Sequence, residues 1–269
     1  MTRRTAAVLC SLAAIVTVGC ASALKKPPTV AELGGGGVAT EASSDQVEAW
    51  LGVGERELAA ARSEASVERA RQCFLNAMKA DPSRVEGFFG AARTTAWLIE
   101  HDPDSRRRDE LAVEGVQIGQ LCLRHHPGVA ECTYRLALAV GQQARERPST
   151  ANDGLDVMVD LLRQVIAAAP GLDHAGGHRV LALVLLRAPG WPTGPGDPEE
   201  GLDQARAAVA AFPDYPPNQL VLGEALLDNG RRTDARRAFE RSFELARAAD
   251  DPEAAEWAAQ ADEALSELR

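Results

Sequence analysis

His174 and His178 stand four residues apart beside Asp173, the spacing at which one helical face can offer two imidazoles to a metal ion. The set is incomplete, because no HExxH glutamate accompanies it and Gly176 and Gly177 loosen the helix between the two rings. Helix-terminal histidines account for the pattern without a metal, as they do for His125 and His126 ahead of Pro127, where a helix dipole favours a cationic ring. Of five cysteines, Cys10 and Cys20 fall in the first twenty residues, leaving Cys73, Cys122 and Cys132, an odd number that forms no complete disulfide framework. Cys122 and Cys132 lie on consecutive expected helices across a short turn. A bridge between them is geometrically allowed, but small buried core residues are the expected reading. No serine sits in a GxSxG elbow, and no glycine-rich loop ends in Lys-Ser or Lys-Thr. With no nucleophile, metal set or cofactor loop, the expectation is a non-catalytic protein that needs no metal or cofactor and works through a surface.

The elements that present this surface are helical. Of 269 residues, 45% are hydrophobic and only 4% aromatic, so the filling is Ala, Leu and Val. The formal charge of -10 becomes -12 without Arg3 and Arg4, which argues against nucleic acid or an anionic surface as the main partner. Residues 1–19 read as a targeting segment: a basic start at Arg3 and Arg4, an apolar run from Ala6 to Val18, and Thr17-Val18-Gly19-Cys20 at its end. This end resembles a bacterial lipoprotein signal, in which Cys20 receives lipid and becomes the first residue; an ordinary cleaved signal or an uncleaved anchor is the alternative. Ala21 and Ser22 after the cysteine, by resemblance to the sorting pattern, imply an outer-membrane lipoprotein facing the periplasm. Residues 20–43, with Lys25-Lys26-Pro27-Pro28 and Gly34–Gly37, read as a flexible tether with a reach of roughly 25 Å. The folded domain is expected over 44–269.

Prolines that end helices recur at Pro82, Pro127, Pro170 and Pro213, at spacings of 45, 43 and 43 residues. Counted back from each, the same positions hold small or apolar residues: Ala70, Phe74 and Ala77; Gly115, Gly119 and Cys122; Met158, Leu162 and Val165; Gly201, Ala205 and Ala208. Position-matched faces of this kind are what stacked helix pairs need. Eleven helices are expected, at 45–63, 66–80, 84–100, 108–125, 130–145, 153–168, 174–187, 198–211, 217–229, 232–248 and 252–267, the last a cap. Breaks in pattern place surplus residues at His101–Arg107, Arg145–Gly154 and Ala188–Asp197, as three enlarged loops forming one rim. The third holds three prolines and three glycines around Trp191, with Asp197 as N-cap and Pro198 at N1 of the next helix. Its indole either plugs the end of the helix pair against Leu185, Leu186 and Leu202 or stands on the rim; the plug is expected.

Leu222-Gly223, Ala235 and Phe239, with the helix ended by Pro213 before them, resemble a tetratricopeptide repeat. The resemblance implies an all-α, right-handed solenoid of about five helix-turn-helix repeats with a capping helix, the first helix of each pair lining a concave groove. On that register the groove residues are Glu86, Phe89, Arg93 and Trp97; Glu131, Tyr134, Leu138 and Gln142; Arg179, Leu183 and Arg187; and Leu220, Glu224 and Asp228. Aromatic rings interspersed with Arg and Glu suit a protein or peptide partner, while Phe89 and Trp97 are equally readable as core. The lipoprotein-like start, the repeats and Gly194-Pro195-Gly196-Asp197-Pro198-Glu199 ahead of a helix also resemble the T-component family of TRAP-type transport systems. That likeness implies a periplasmic substrate-binding protein as partner, and an alternative function as a transport accessory that carries or channels a small apolar ligand.

Overall fold

The computed structural model describes residues 23–33, 42–59 and 63–268. Cys20 and the targeting segment lie outside the described residues. Among the described residues eleven α-helices follow one another: α1 Ser44–Ala59, α2 Glu64–Ala80, α3 Val85–His101, α4 Ser105–His125, α5 Ala130–Glu146, α6 Ala151–Ala168, α7 Gly176–Arg187, α8 Pro198–Ala211, α9 Pro216–Asp228, α10 Arg232–Ala248 and α11 Ala254–Glu267. A single 3-10 turn, Pro148–Thr150, precedes α6. Each odd-numbered helix packs on the even-numbered one after it, giving five antiparallel pairs with α11 as a cap on α10. This is an all-α helical-repeat solenoid.

The periodic prolines do the work their spacing predicts. Asp81, His126, Ala169 and Phe212 are the C-caps of α2, α4, α6 and α8, one residue ahead of each proline. Their N–H groups close the last turn onto Ala77, Cys122, Val165 and Ala208, the innermost of the matched positions, all of them buried. Proline cannot continue the ladder, so α2, α4, α6 and α8 end at the same depth in their repeats. Close approach within pairs comes from glycine. A Cβ on Gly54 of α1 would overlap the ring of Phe74 on α2, and one on Gly223 of α9 the ring of Phe239 on α10, so each phenyl lies against helical backbone. The starts are capped locally: Ser63 and Ser66 form a reciprocal capping box on α2, and Asp104 accepts from Arg106 N–H on α4.

Several expectations are corrected. The surplus residues of the early repeats are not enlarged loops. α4 is 21 residues long and begins at Ser105, so only Asp102, Pro103 and Asp104 link it to α3, and only residues 147–150 separate α5 from α6. The extra length goes into the second helices, where burying Leu111 and Ala112 is worth more than leaving the chain in solvent. One long loop remains, Ala188–Asp197. The tether is likewise not free over its described part: Ala23 N–H donates to Asp153 Oδ2 at 2.6 Å, and Val30 and Leu33 join the first core. Apolar side chains following Pro27 and Pro28 find an uncovered stripe of the solenoid, which outweighs the entropy of a free linker. The last helix starts at Ala254, later than expected, with Asp251 accepting from Glu253 N–H in the turn before it.

Cys122 and Cys132 are bridged, contrary to their reading as core thiols, with Cα atoms 5.4 Å apart. The turn at His126–Val129 brings the last turn of α4 against the first turn of α5, so two side chains buried for packing also meet. Cys73 is free, and burial pushes its thiol up. Alkylating the unfolded, unreduced protein is therefore expected to label Cys73 and spare Cys122 and Cys132, as read by peptide mass. Closing a loop with a sequence separation of 10 contributes about 2–3 kcal/mol by chain entropy, so reduction should lower the denaturation midpoint accordingly.

Candidate interaction surface

Along most of the array the first helices approach one another, α1 with α3, α3 with α5 and α7 with α9, so they form the inner side. The second helices are spanned by long ion pairs: Arg71 with Glu114 at 2.5 Å, Arg107 with Glu64 at 2.7 Å, and Arg163 with Glu200 at 3.1 Å. The inner face uses the same device. Arg84 reaches Glu48 at 2.6 Å, Arg93 reaches Glu55 at 2.5 Å, Arg145 reaches Glu100 at 2.9 Å and Arg187 reaches Glu224 at 2.7 Å. Gln142 donates to the Ala96 carbonyl and to Glu100. Each of these contacts spans one repeat, 36 to 46 residues in sequence. Arg93, Gln142, Arg187 and Glu224 thus stand on the inner face, where they tie neighbouring repeats. Glu131 pairs with Arg135 one turn along its own helix. Phe89 and Trp97 pack half-buried against the first core, and Trp97 stacks on His101 with centroids 3.9 Å apart.

Three predicted groove residues are not groove residues. Leu220 is buried in the third core, while Tyr134 and Arg179 are buried in a polar junction. Here α5 and α7 do not approach as the other first helices do; the turn between α6 and α7 intervenes, with Asp173, His174 and Ala175 all left-handed at φ of 50°, 52° and 65°. Three successive non-glycine residues in that region cost of order 1 kcal/mol each and persist only where the surroundings over-determine them. They do so here. The Tyr134 hydroxyl and an Arg179 N–H both donate to Asp173 Oδ2 at 2.6 Å. Arg179 also donates to the carbonyls of Asp173 and His174 and to Asn218 Oδ1. The Asn218 amide donates to the carbonyls of His174, Ala208 and Phe212. His174 stacks on Tyr215 at 4.3 Å, Arg179 covers the same ring at 5.1 Å, and Trp257 meets its edge.

His174 and His178 therefore diverge: one ring stacks outside the helix and the other bonds Gln204 through Nδ1 at 2.7 Å. Asn218 and Tyr215 had no signal in the sequence, and Asp173 only its place beside the two histidines. Asp197 is the N-cap of α8, accepting from Glu199 and Glu200 N–H, with Pro198 following. Trp191 is not a plug but is 90% exposed. The helix ends it was expected to cover are already closed, because Gly201 lets Leu186 lie against α8 and leaves no room for an indole.

Pairs of helices stacked with first helices inward define the tetratricopeptide-type helical-repeat fold, and solved structures share it. The thermophilic TPR protein TTC0263 of Thermus thermophilus superposes with a TM-score of 0.63 at 18% identity, over 82% of this chain and 99% of that one. MamA from residue 41 of Desulfovibrio magneticus gives 0.51 at 18%, over 78% and 100%. PilF of Pseudomonas aeruginosa gives 0.51 at 16%, over 83% and 92%. No family model and no curated protein matches the chain.

The junction makes two expectations. Arg179→Met leaves Asp173 and Asn218 underbonded and is expected to cost about 2–4 kcal/mol in urea unfolding, whereas Arg187→Met, at an exposed pair, costs less than about 1 kcal/mol. Burial raises the Tyr134 phenol well above its ordinary value and pushes Tyr215 up to about 12, against the pull of Arg179. Folded-state values above the unfolded value of 10.0 mean that this stability is complete below pH 10 and is lost as pH rises through 12. The chain has two tyrosines, so an absorbance titration reads these alone. Phenolate should appear above about pH 12, together with loss of helix, rather than at the ordinary value in folded protein.

Proposed function

We propose that the chain is a non-catalytic scaffold, lipid-anchored at Cys20 in the bacterial cell envelope, whose inner face binds a protein or an extended peptide. The observation that carries this is the composition of that face: exposed or half-exposed Glu55, Arg93, Trp97, Gln142, Arg187 and Glu224, with opposite charges paired between neighbouring first helices at Glu55–Arg93 and Arg187–Glu224. Opposite charges spaced one helix apart can be exchanged for those of a partner at little net cost, while half-buried rings beside them supply apolar contact. The anchor rests on Arg3 and Arg4, the apolar run and Gly19-Cys20, and the periplasmic side of the outer membrane on Ala21 and Ser22. A scaffold is favoured over a carrier of small apolar ligands because the inside of the array is filled: Phe74, Phe88, Leu98, Ile118, Leu162 and Phe239 are all fully buried. A substrate-binding protein remains one candidate for the partner within this reading.

The test is site-specific photo-crosslinking in the native envelope. A crosslinking side chain in place of Gln142 is expected to give a discrete protein adduct that disappears when Arg93 and Arg187 are both changed to Glu. The same side chain in place of Glu110, on the outer face, is expected to give none. Adducts from Glu110 but not from Gln142 in folded protein would place the partner on the other side.

A further inference from the structure

The Ala188–Asp197 loop has no role in the scaffold described so far. Between Arg187 and Asp197 it carries no charge, and Trp191 is the exposed large hydrophobic residue among those described. It is held by its own backbone: Gly196 N–H donates to the Pro189 carbonyl, Thr193 and Gly194 N–H to that of Gly190, and Asp197 N–H to that of Leu185. At its base Pro195 faces a shallow cleft formed with Asp156, Val159, Asp160 and Arg163 of α6.

The chain enters the described structure at the same helix. Ala23 N–H is bonded to Asp153, and Ala23 lies against Gly154. Asp153, Asp156, Asp160 and Arg163 are spaced i, i+3, i+7 and i+10, one face of α6, so the entry point and the residues that face the loop are about 5 to 15 Å apart along it. Only Ala21 and Ser22 separate Cys20 from Ala23, a connection no longer than about 11 Å when fully extended.

We propose that this edge of the solenoid, at the start of α6, faces the membrane, and that the loop seats Trp191 in the headgroup region of the phospholipid surface that holds the anchor. The inference rests on lipidation of Cys20 as read above. A lipid at Cys20 cannot leave the α6 edge, so the loop stays within reach of the bilayer and a tilt about the anchor lets its tip enter. An indole flanked by Pro and Gly suits the interface, where its ring is apolar and its N–H stays wet. Lys25 and Lys26, both exposed, follow the anchor directly and meet lipid phosphates. Asp156, Asp160 and Glu199 at the base of the loop limit entry to its tip. A second contact of this kind turns a tethered domain into an oriented one, leaving the inner face to the periplasm.

The experiment uses full-length protein purified from its own membranes, with the N-terminal peptide identified by mass spectrometry. It is then reconstituted in phosphatidylethanolamine–phosphatidylcholine vesicles with and without bromine on the acyl chains. Four tryptophans are present, and Trp50, Trp97 and Trp257 are partly or largely buried in protein. Brominated chains are expected to quench the emission of the acylated protein, and Trp191→Phe, a change in an exposed loop, is expected to remove at least about two-thirds of that quenching. Equal quenching of both proteins, or none of either, with Cys20 acylated overturns the orientation and leaves the anchor standing. A peptide without lipid overturns the anchor and the orientation with it.

Discussion

The carboxylate of Asp173 holds together what the repeat pattern alone would leave apart. Everywhere else, first helix meets first helix across ion pairs one repeat apart, and one repeat positions the next. Between α5 and α7 a left-handed turn intervenes, and the two halves of the array meet across a polar core. One oxygen of Asp173 accepts from Tyr134 of the third repeat and from Arg179 of the fourth, and Arg179 passes the connection to Asn218 of the fifth. Buried polar groups are costly unless all are satisfied, so this arrangement admits few alternatives. Its cost in backbone strain fixes the angle at which the two halves meet, and with it the course of the inner face.

On either side of that junction the structure is additive. Matched small residues set the distance between paired helices, prolines set their length, and ion pairs one repeat apart join neighbours. Each exposed pair contributes little by itself. Their regularity matters more for register, since a repeat displaced along its neighbour would lose several at once. The same side chains that hold the register also present the exchangeable charge of the inner face, so binding and assembly draw on one set of residues. The loop bearing Trp191 and the pinned segment at Ala23 lie outside this set, on the far helices, consistent with a separate use.

Legibility in the sequence followed the range of the forces involved. The all-helical repeat, its five pairs, the cap and the starts at Asp197 and Pro198 were readable because they depend on local periodicity and capping. Arg93, Gln142, Arg187 and Glu224 sit on regular helices, so periodicity alone sets which side of the array they face. Tyr134 and Arg179 were misplaced because register assumes every first helix meets the next, and the turn at Asp173–Ala175 breaks that assumption with residues that carry no glycine to announce it; Leu220 turns into the third core although α7 and α9 do meet. Trp191 was misplaced because burial was argued from area, while the absence of side chain at Gly201 had already closed the site to it. The bridge between Cys122 and Cys132 depended on how sharply four residues turn, which composition does not state.

The central claim is that the Asp173 junction makes one rigid body of the two halves. It is tested most directly by electron–electron distance measurement between spin labels at Glu110 on α4 and Glu240 on α10, introduced as noncanonical side chains that leave the cysteines untouched. The account predicts a single narrow distance distribution in the unaltered chain, and a clearly broader one with Asp173→Ala while helical content is retained. Distributions of equal width in the two proteins, or a broad one in the unaltered chain, would contradict it.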